Sequence, residues 1–370
     1  MKNIPLGEIL KLEYGKPLSK EDRTECGKYP AYGANGIKAR TDKFYVDERG
    51  IIVGRKGSAG AVTLTDGPFW PLDVTYHVTF DKLRYDLKYI YWLLKTLNLT
   101  SLAVGVKPGI NRNEVYTIEV PAPGPIEQQR QIVVALDTAF DKIDRVAELT
   151  KTSQIDAKKF FESKLNQTFT NTNTWNTSRL GAHIKFIDYR GRTPKKHPFG
   201  LRLITAKNIK MGYIQDEPRE YIDPADYDTW MTRGIPRKDD ILFTTEAPLG
   251  NVALLNSDDK IAFAQRTIIF QMDRKIYNPR FLKYLMLSKV FQDKVIEKGT
   301  GTTVLGIKSK LLKEIVISYP KDVEAQKELS RSLENAEDMS RELHLHYQKK
   351  LDNLSELKKM LLDKALKNEL

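Results

Sequence analysis

Along two stretches of the chain apolar residues recur every three or four positions. After Pro125 they fall at Ile132, Leu136, Ala139, Phe140, Ile143, Val146, Ala147, Ala157 and Phe160; from Leu329 they run through Leu333, Ala336, Met339, Leu343, Tyr347, Leu351, Leu354, Leu357, Leu361 and Ala365. Lys, Glu and Asp fill the other positions, so one face of a helix stays apolar. The spacing predicts long helices over 125–170 and 321–370. Glu127 and Glu324 stand in the first turns, where carboxylates suit the helix dipole. The Thr- and Asn-rich stretch ending at Thr177 breaks the first pattern, and 171–177 reads as a linker.

Elsewhere the pattern is short and β-rich. Gly50 to Val53, Ala61 to Leu64, Val74 to Phe80, Ile241 to Thr244 and Ile261 to Phe270 read as strands split by Gly and Pro turns. One shorter helix stands out in each half, Leu87 to Leu97 and Arg280 to Phe291. The segments 1–124 and 178–320 are therefore expected to be α+β globular domains, each followed by a long helix.

The two halves also match each other. Ile51-Ile52-Val53-Gly54 through Gly60-Ala61-Val62 aligns with Ile241-Leu242-Phe243-Thr244 through Gly250-Asn251-Val252; Gly109-Ile110 through Ile118, Pro123 and Glu127 aligns with Gly306-Ile307 through Ile315, Pro320 and Glu324. Leu6-Gly7 matches Leu180-Gly181, and Gly15-Lys16 matches Gly191-Arg192. The chain is one unit written twice.

Charge divides along the same lines. The net charge of the 370 residues is +12, made up of +4 in 1–124, zero in 125–170, +9 in 171–320 and −1 in 321–370. The globular parts suit a polyanion and the neutral helices suit protein. A composition 41% hydrophobic and 29% charged, with no bilayer-length apolar run and no signal-peptide pattern, points to a soluble cytoplasmic protein. Cys26 is the single cysteine, which excludes an internal disulfide and a thiolate-rich metal site, and a buried or idle thiol is expected.

Catalytic constellations are missing. His77, His183, His197, His344 and His346 lack metal-ligand spacing, and neither a Gly-x-Ser-x-Gly elbow nor a dinucleotide-binding glycine motif occurs. Gly301 to Ser309 resembles a phosphate loop, but Ile307 intrudes between Gly306 and Lys308; a structural or DNA-facing turn fits better. Asn278-Pro279-Arg280-Phe281 resembles the base-holding motif of adenine methyltransferases, but an Asn followed by Pro at the first helical position is a helix start.

The repeat, the paired Leu-Gly starts, the apolar runs into glycine turns, and the Pro125-Ile126-Glu127-Gln128-Gln129 passage resemble the DNA-specificity subunit of type I restriction-modification systems. The second copy departs from that passage by reading Glu324-Ala325-Gln326. The resemblance covers essentially the whole chain. It implies two target-recognition domains, each reading one half of a split duplex DNA target, and two helices that pair as an antiparallel coiled coil with pseudo-twofold symmetry. It further implies a non-catalytic chain that docks two methyltransferase subunits, later joined by restriction subunits. No cofactor is expected on this chain, because S-adenosylmethionine would sit on the methyltransferase partners.

Base edges and phosphates are reached by Arg, Lys, Asn, Gln, Glu and hydroxyl side chains on loops. In the first domain the candidates are Asn35 with Lys38, Arg55 and Lys56 with Ser58, Tyr76 with His77, and Lys107 with Asn111 and Arg112. In the second they are Tyr189, Arg190 and Arg192, Lys207 with Asn208, Thr245 with Glu246, Gln265 with Arg266, and Thr300 with Thr302 and Lys308. Arg55-Lys56 and Arg190 with Arg192 lead, because basic pairs beside Gly let the backbone approach phosphate. The alternative is a helical adaptor whose basic domains bind RNA or another acidic partner.

Overall fold

The computed structural model describes residues 2–170, 172–189, 193–264, 266–301, 304–367 and 369. Two units divide the chain, Met1–Lys151 with Gln348–Leu370, and Thr152–Tyr347. The first globular part contains β1 (Asn3–Pro5), β2 (Leu10–Tyr14), β3 (Tyr29–Gly33), β4 (Gly36–Thr41), β5 (Ile51–Gly54), β6 (Val62–Leu64), β7 (Trp70–Pro71), β8 (Thr75–Phe80), α1 (Leu87–Thr96), α2 (Arg112–Tyr116) and β9 (Glu119–Pro121), and leads into α3 (Ile126–Thr170). The second contains β10 (Asn176–Arg179), β11 (Ile184–Asp188), β12 (Leu201–Ile204), β13 (Glu220–Ile222), α4 (Tyr227–Trp230), β14 (Ile241–Thr245), β15 (Leu249–Leu254), β16 (Ala262–Phe263), β17 (Thr267–Met272), α5 (Pro279–Leu287), α6 (Lys289–Glu297), α7 (Ser309–Lys313) and β18 (Val316–Tyr319), and leads into α8 (Val323–Leu366).

Sequence repetition is matched by repeated pairing. The first part orders its strands β2-β8-β5-β6, β4-β3-β7 and β1-β9; the second orders them β11-β17-β14-β15, β13-β12-β16 and β10-β18. Even the single parallel pairing recurs, β3 with β7 and β12 with β16. The central strands β5 and β14 are buried throughout because their two faces feed different cores. Ile51 and Val53 pack with Tyr89, Ile90 and Leu93, whereas Ile52 packs with Tyr32 and Phe69. Ile241 and Phe243 likewise join Phe281 and Leu282, whereas Leu242 joins Leu203 and Phe263.

One buried glutamine in each copy fastens a long helix to its globular part. Gln129 Oε1 accepts from Asp86 N (2.9 Å), and its Nε2 donates to Arg84 O (2.9 Å) and Gly124 O (2.8 Å). Gln326 accepts from Asn278 N (2.8 Å) and donates to Ile276 O and Pro320 O, both at 2.8 Å. The copies differ one position earlier, Gln128 against Ala325, and keep the residue that makes these bonds. Asp86 and Asn278 also cap α1 and α5, their side chains accepting from Tyr89 N and Phe281 N at 3.1 Å each. The Asn-Pro sequence at 278 is thus a helix start.

α3 spans 45 residues, about 68 Å at 1.5 Å per residue, and α8 spans 44. Within the first unit their parts run antiparallel: Lys358 pairs with Asp144, while Ala365 packs with Leu136 and Leu366 with Val133. The same sense holds in the second unit, where Ser340 Oγ donates to Ala157 O (2.8 Å) and Leu333 packs with Leu165. The buried seam is narrower than the sequence stripe, and Val146, Phe160, Met339 and Leu357 are exposed. Two packed helices cover a narrower strip than the full apolar arc of a core helix.

Several expectations need correction. The helix expected over Arg280 to Phe291 is two helices, broken at the buried, extended Ser288, whose Oγ donates to Leu285 O (2.6 Å). The strand expected over Ile261 to Phe270 is also two, with Arg266 in the left-handed region at φ 70° before β17. Asn176 and Thr177, assigned to the linker, belong to β10 and pair with Tyr319 and Ser318. Cys26 is exposed. Among the described residues, no helix is long and apolar enough to cross a membrane.

Candidate nucleic-acid interface

The first cluster forms where β5 leaves its sheet. Beyond Gly54 the chain folds over the start of β8, with Val74 O accepting from Arg55 N (2.9 Å) and Lys56 N (3.2 Å). Gly54 is required there, since a Cβ would lie 2.2 Å from Ser58 O and 3.1 Å from Ala34 O. The second of these approaches sets the Ala34–Asn35 turn against the same loop. A hairpin over 104–109, closed by reciprocal Val104–Gly109 bonds of 3.1 Å, is stitched on through Gly57 N to Pro108 O (2.8 Å) and Ile110 N to Arg55 O (3.1 Å).

The resulting surface is basic and partly pre-ordered. Arg55 and Arg112 lie over the ring of Tyr14 at 5.0 and 4.7 Å, and each is tethered to a carbonyl, Arg55 to Asp73 O (3.0 Å) and Arg112 to Leu12 O (3.2 Å). Such stacking and tethering reduce the side-chain entropy that ligand binding would otherwise cost. Lys56, Ser58 and Lys107 are exposed beside them. Asn111 caps α2 by accepting from Asn113 N (3.0 Å) and remains exposed. Asn35 and Lys38 are exposed on the neighbouring turn and strand.

Tyr76 and His77 do not belong to this surface. Tyr76 is 2% exposed and donates to Ile110 O (3.3 Å), bracing the hairpin from below. His77 is 9% exposed, opposite Glu13 in the sheet and 5.5 Å from the Tyr45 ring. Burial holds its imidazole below the usual value near 6.5, with Glu13 opposing the shift. The unfolded chain therefore takes up a proton that the folded unit resists, so His77 costs stability as pH falls below about 6.5 and costs nothing well above it. The urea midpoint of the first unit should drop between pH 7.5 and pH 5, and His77→Phe should shrink that drop; an equal drop in the variant would assign it to other groups.

The second cluster stands at the same node of the repeat. Ile307 N donates to Thr245 O (3.0 Å), and Thr300 and Gly306 exchange bonds of 2.8 and 3.0 Å. Glu246 bridges to Gly306 as Lys56 does to Gly109. The stretch resembling a phosphate loop is this hairpin, with Ile307 buried beneath it. Thr245 is buried, its N donating to Arg266 O (2.9 Å), while Arg266 Nε lies 3.0 Å from Glu246 Oε1. Thr300 and Lys308 are exposed nearby. Gln265 and Thr302 lie outside the described residues, as do Arg190 and Arg192.

Two of the remaining candidates in this part are held inside it. Tyr189 is buried, donating to Gly234 O (2.8 Å) and accepting from Arg233 N (3.2 Å); burial raises its pKa above the usual phenol value, and those two bonds oppose the shift. Asn208 is fully buried, with Oδ1 accepting from Thr205 N (3.1 Å) and Nδ2 donating to Gln215 O (3.1 Å) and Pro218 O (3.0 Å). Its neighbour Lys207 is exposed on that separate turn.

Two features carry no clear signal in the sequence. Tyr14 shares strand parity with the buried Leu10 and Leu12, yet it is 46% exposed as the last residue of β2, opposite Tyr76. The hairpin tips carry bare aliphatics, Val104 and Val106 in one copy and Val304 and Leu305 in the other. Short apolar residues in a glycine-rich turn have no periodicity by which to find them.

A family model for the type I restriction modification DNA specificity domain matches residues 1–157 and again 173–353. A type I specificity subunit of Mycoplasma pneumoniae is 32% identical over 155 residues, covering 40% of this chain and 41% of that protein. The EcoBI specificity subunit of Escherichia coli is 22% identical over 359 residues, covering 88% of this chain and 75% of that one. The chain spans about two fifths of the length of the Mycoplasma relatives it matches. Among solved structures, a chain of a type I restriction-modification system superposes with TM-score 0.78 at 16% identity, covering 100% of this chain and 98% of the other. The HsdS subunit of Thermoanaerobacter tengcongensis gives 0.63 at 17% identity, covering 100% and 97%. At these identities the structural likeness is one of fold.

Proposed function

Because the chain belongs to the type I restriction-modification DNA specificity family, we propose that each of its globular parts reads one half of a split duplex target. One observation carries this reading: a single frame is built twice, and the loops at its equivalent node differ, Arg55-Lys56 in one copy and Thr245-Glu246 in the other. Like frames with unlike loops suit two different half-sites. The helices set the spacing and dock two methyltransferase subunits, with restriction subunits joining the full complex. Exposed Val134 beside Ala135 and Ala139 on α3, and Met339, Leu345 and Met360 on α8, supply apolar area for such docking. The chain itself acts without a cofactor in the cytoplasm, and S-adenosylmethionine is bound by its partners. The RNA-adaptor alternative loses its support, since both copies match a DNA specificity domain.

The test is co-expression with the modification subunits followed by mapping of methylated adenines. A bipartite motif with a fixed gap is the expected result, and methylation without a split motif would overturn the reading. Within the first head, Arg55→Ala with Arg112→Ala should weaken binding and flatten the salt dependence, by a slope of about 0.9 for each phosphate no longer neutralised. An unchanged slope in a binding titration over salt would take this pair off the DNA backbone.

A further inference from the structure

We infer that the equivalent loop position of the two heads selects bases by opposite chemistry: Lys56 faces a hydrogen-bond acceptor, and Glu246 demands a base that donates from an exocyclic amino group. The inference rests on the reading of this chain as a DNA specificity subunit and assigns part of its code.

Equivalence is fixed by backbone. Both residues follow the central strand of the four-stranded sheet, β5 or β14, and both bridge to the glycine closing the adjoining hairpin, Gly109 or Gly306. The residue before each accepts the same bond, from Ile110 N to Arg55 O (3.1 Å) and from Ile307 N to Thr245 O (3.0 Å). What differs is the side chain and its setting. Lys56 is exposed among Arg55, Lys107 and Arg112 and has no carboxylate paired with it among the described residues. The Glu246 side chain is 44% exposed and carries Arg266 on Oε1 at 3.0 Å.

A carboxylate on a DNA-facing loop is repelled by phosphate. The partners a duplex offers it in the major groove are the amino groups of cytosine and adenine, whereas guanine N7 and O6 and thymine O4 accept only. Arg266 solves the cost of bringing that charge near DNA. It offsets the charge of the carboxylate at Oε1 and leaves Oε2 to meet a base. The pair is built into the frame: Arg266 is a non-glycine residue held at φ 70°, with its carbonyl receiving Thr245 N. A strained backbone retained at a recognition loop fits a positioning role. At the same node in the first head the Lys56 ammonium can meet phosphate or an acceptor-bearing base.

The experiment uses the full chain assembled with its modification subunits and a duplex carrying the methylation motif mapped for the wild type. Each cytosine and adenine of the target is replaced in turn by an analogue lacking the exocyclic amine, 2-pyrimidinone or purine. Wild type should lose about tenfold or more in affinity at one position of one half-site. Glu246→Ala and Glu246→Met, which keeps the side-chain length without a strong acceptor, should both lose that discrimination, while Lys56→Ala should leave it intact and alter the other half. Should Glu246→Ala fail to assemble, Glu246→Met decides alone. Wild-type discrimination retained at every position by the methionine variant overturns the inference, as does Lys56→Ala changing the same half-site. Failure of the underlying reading looks different, because the wild-type complex would then show no sequence preference at all.

Discussion

Replacing Glu337 by alanine is expected to destabilise the second unit by about 3 kcal/mol, the cost of leaving a buried cation without its partner. Lys283 on α5 is 8% exposed, and its Nζ lies 3.1 Å from Glu337 Oε2 on α8 and 3.9 Å from the centre of the Tyr284 ring. The Tyr284 hydroxyl donates to the same oxygen at 2.6 Å. Burial, reinforced by this carboxylate, pushes the Tyr284 phenol far above its usual range, so it remains a donor throughout the working pH range. One acceptor thus serves two buried donors, and its loss strands both. The Glu337 side chain is 22% exposed, which lets water relieve part of the cost and places the effect at the low end for buried pairs. Amide exchange along α5 and the facing part of α8 would report the loss. Pairing Glu337→Leu with Lys283→Met should recover most of it, because a well-packed apolar pair avoids the desolvation penalty. A double variant as unstable as Glu337→Ala would mean that packing, not charge, holds the two helices.

The second large effect is expected at the fastening glutamines. Gln326→Leu keeps the volume of a fully buried side chain but orphans Asn278 N, Ile276 O and Pro320 O. Each stranded backbone group costs roughly 1–3 kcal/mol, so a loss of about 3 kcal/mol or more is expected. It should appear as early exchange at the start of both α5 and α8. Gln129→Leu should do the same to α1 and α3 in the first unit. Glu in place of either Gln should fail as well, since an ionised carboxylate cannot donate to the two carbonyls. Wild-type protection in Gln326→Leu would show that apolar packing alone seats the helix.

The glutamines illustrate how far the sequence could be read. Pro125 to Gln129 signals a helix opening, and the periodicity of the two long helices is unmistakable because each repeats over many turns. That the last glutamine of the passage, and not its acidic residue, is the fixed point emerges only in three dimensions, where Glu127 pairs at the surface with Arg130 and Gln129 lies buried. Polar residue type likewise failed to separate surface from scaffold. Arg55, Lys56 and Arg112, taken from two separate candidate clusters, come together on one surface, but Tyr76, Asn208 and Thr245 are spent on neighbouring main-chain groups inside the fold. Hydrogen bonding satisfies a buried amide as well as water does, so composition alone carries no sign of which choice was made. The break at Ser288 is equally silent, since no Gly or Pro marks it.

The short ribbons β1-β9 and β10-β18 bring the entry and exit of each globular part side by side. Everything between, from Leu6 to Ile118 or from Leu180 to Ile315, is a closed excursion from that ribbon, tied to the following helix by one glutamine, by ion pairs such as Lys88–Asp137 and Lys283–Glu337, and by apolar packing. A genetic crossover falling inside the ribbons would therefore exchange one excursion whole while leaving the helix that follows intact. New target sequences could arise by trading cartridges between related chains, without waiting for loops to change residue by residue.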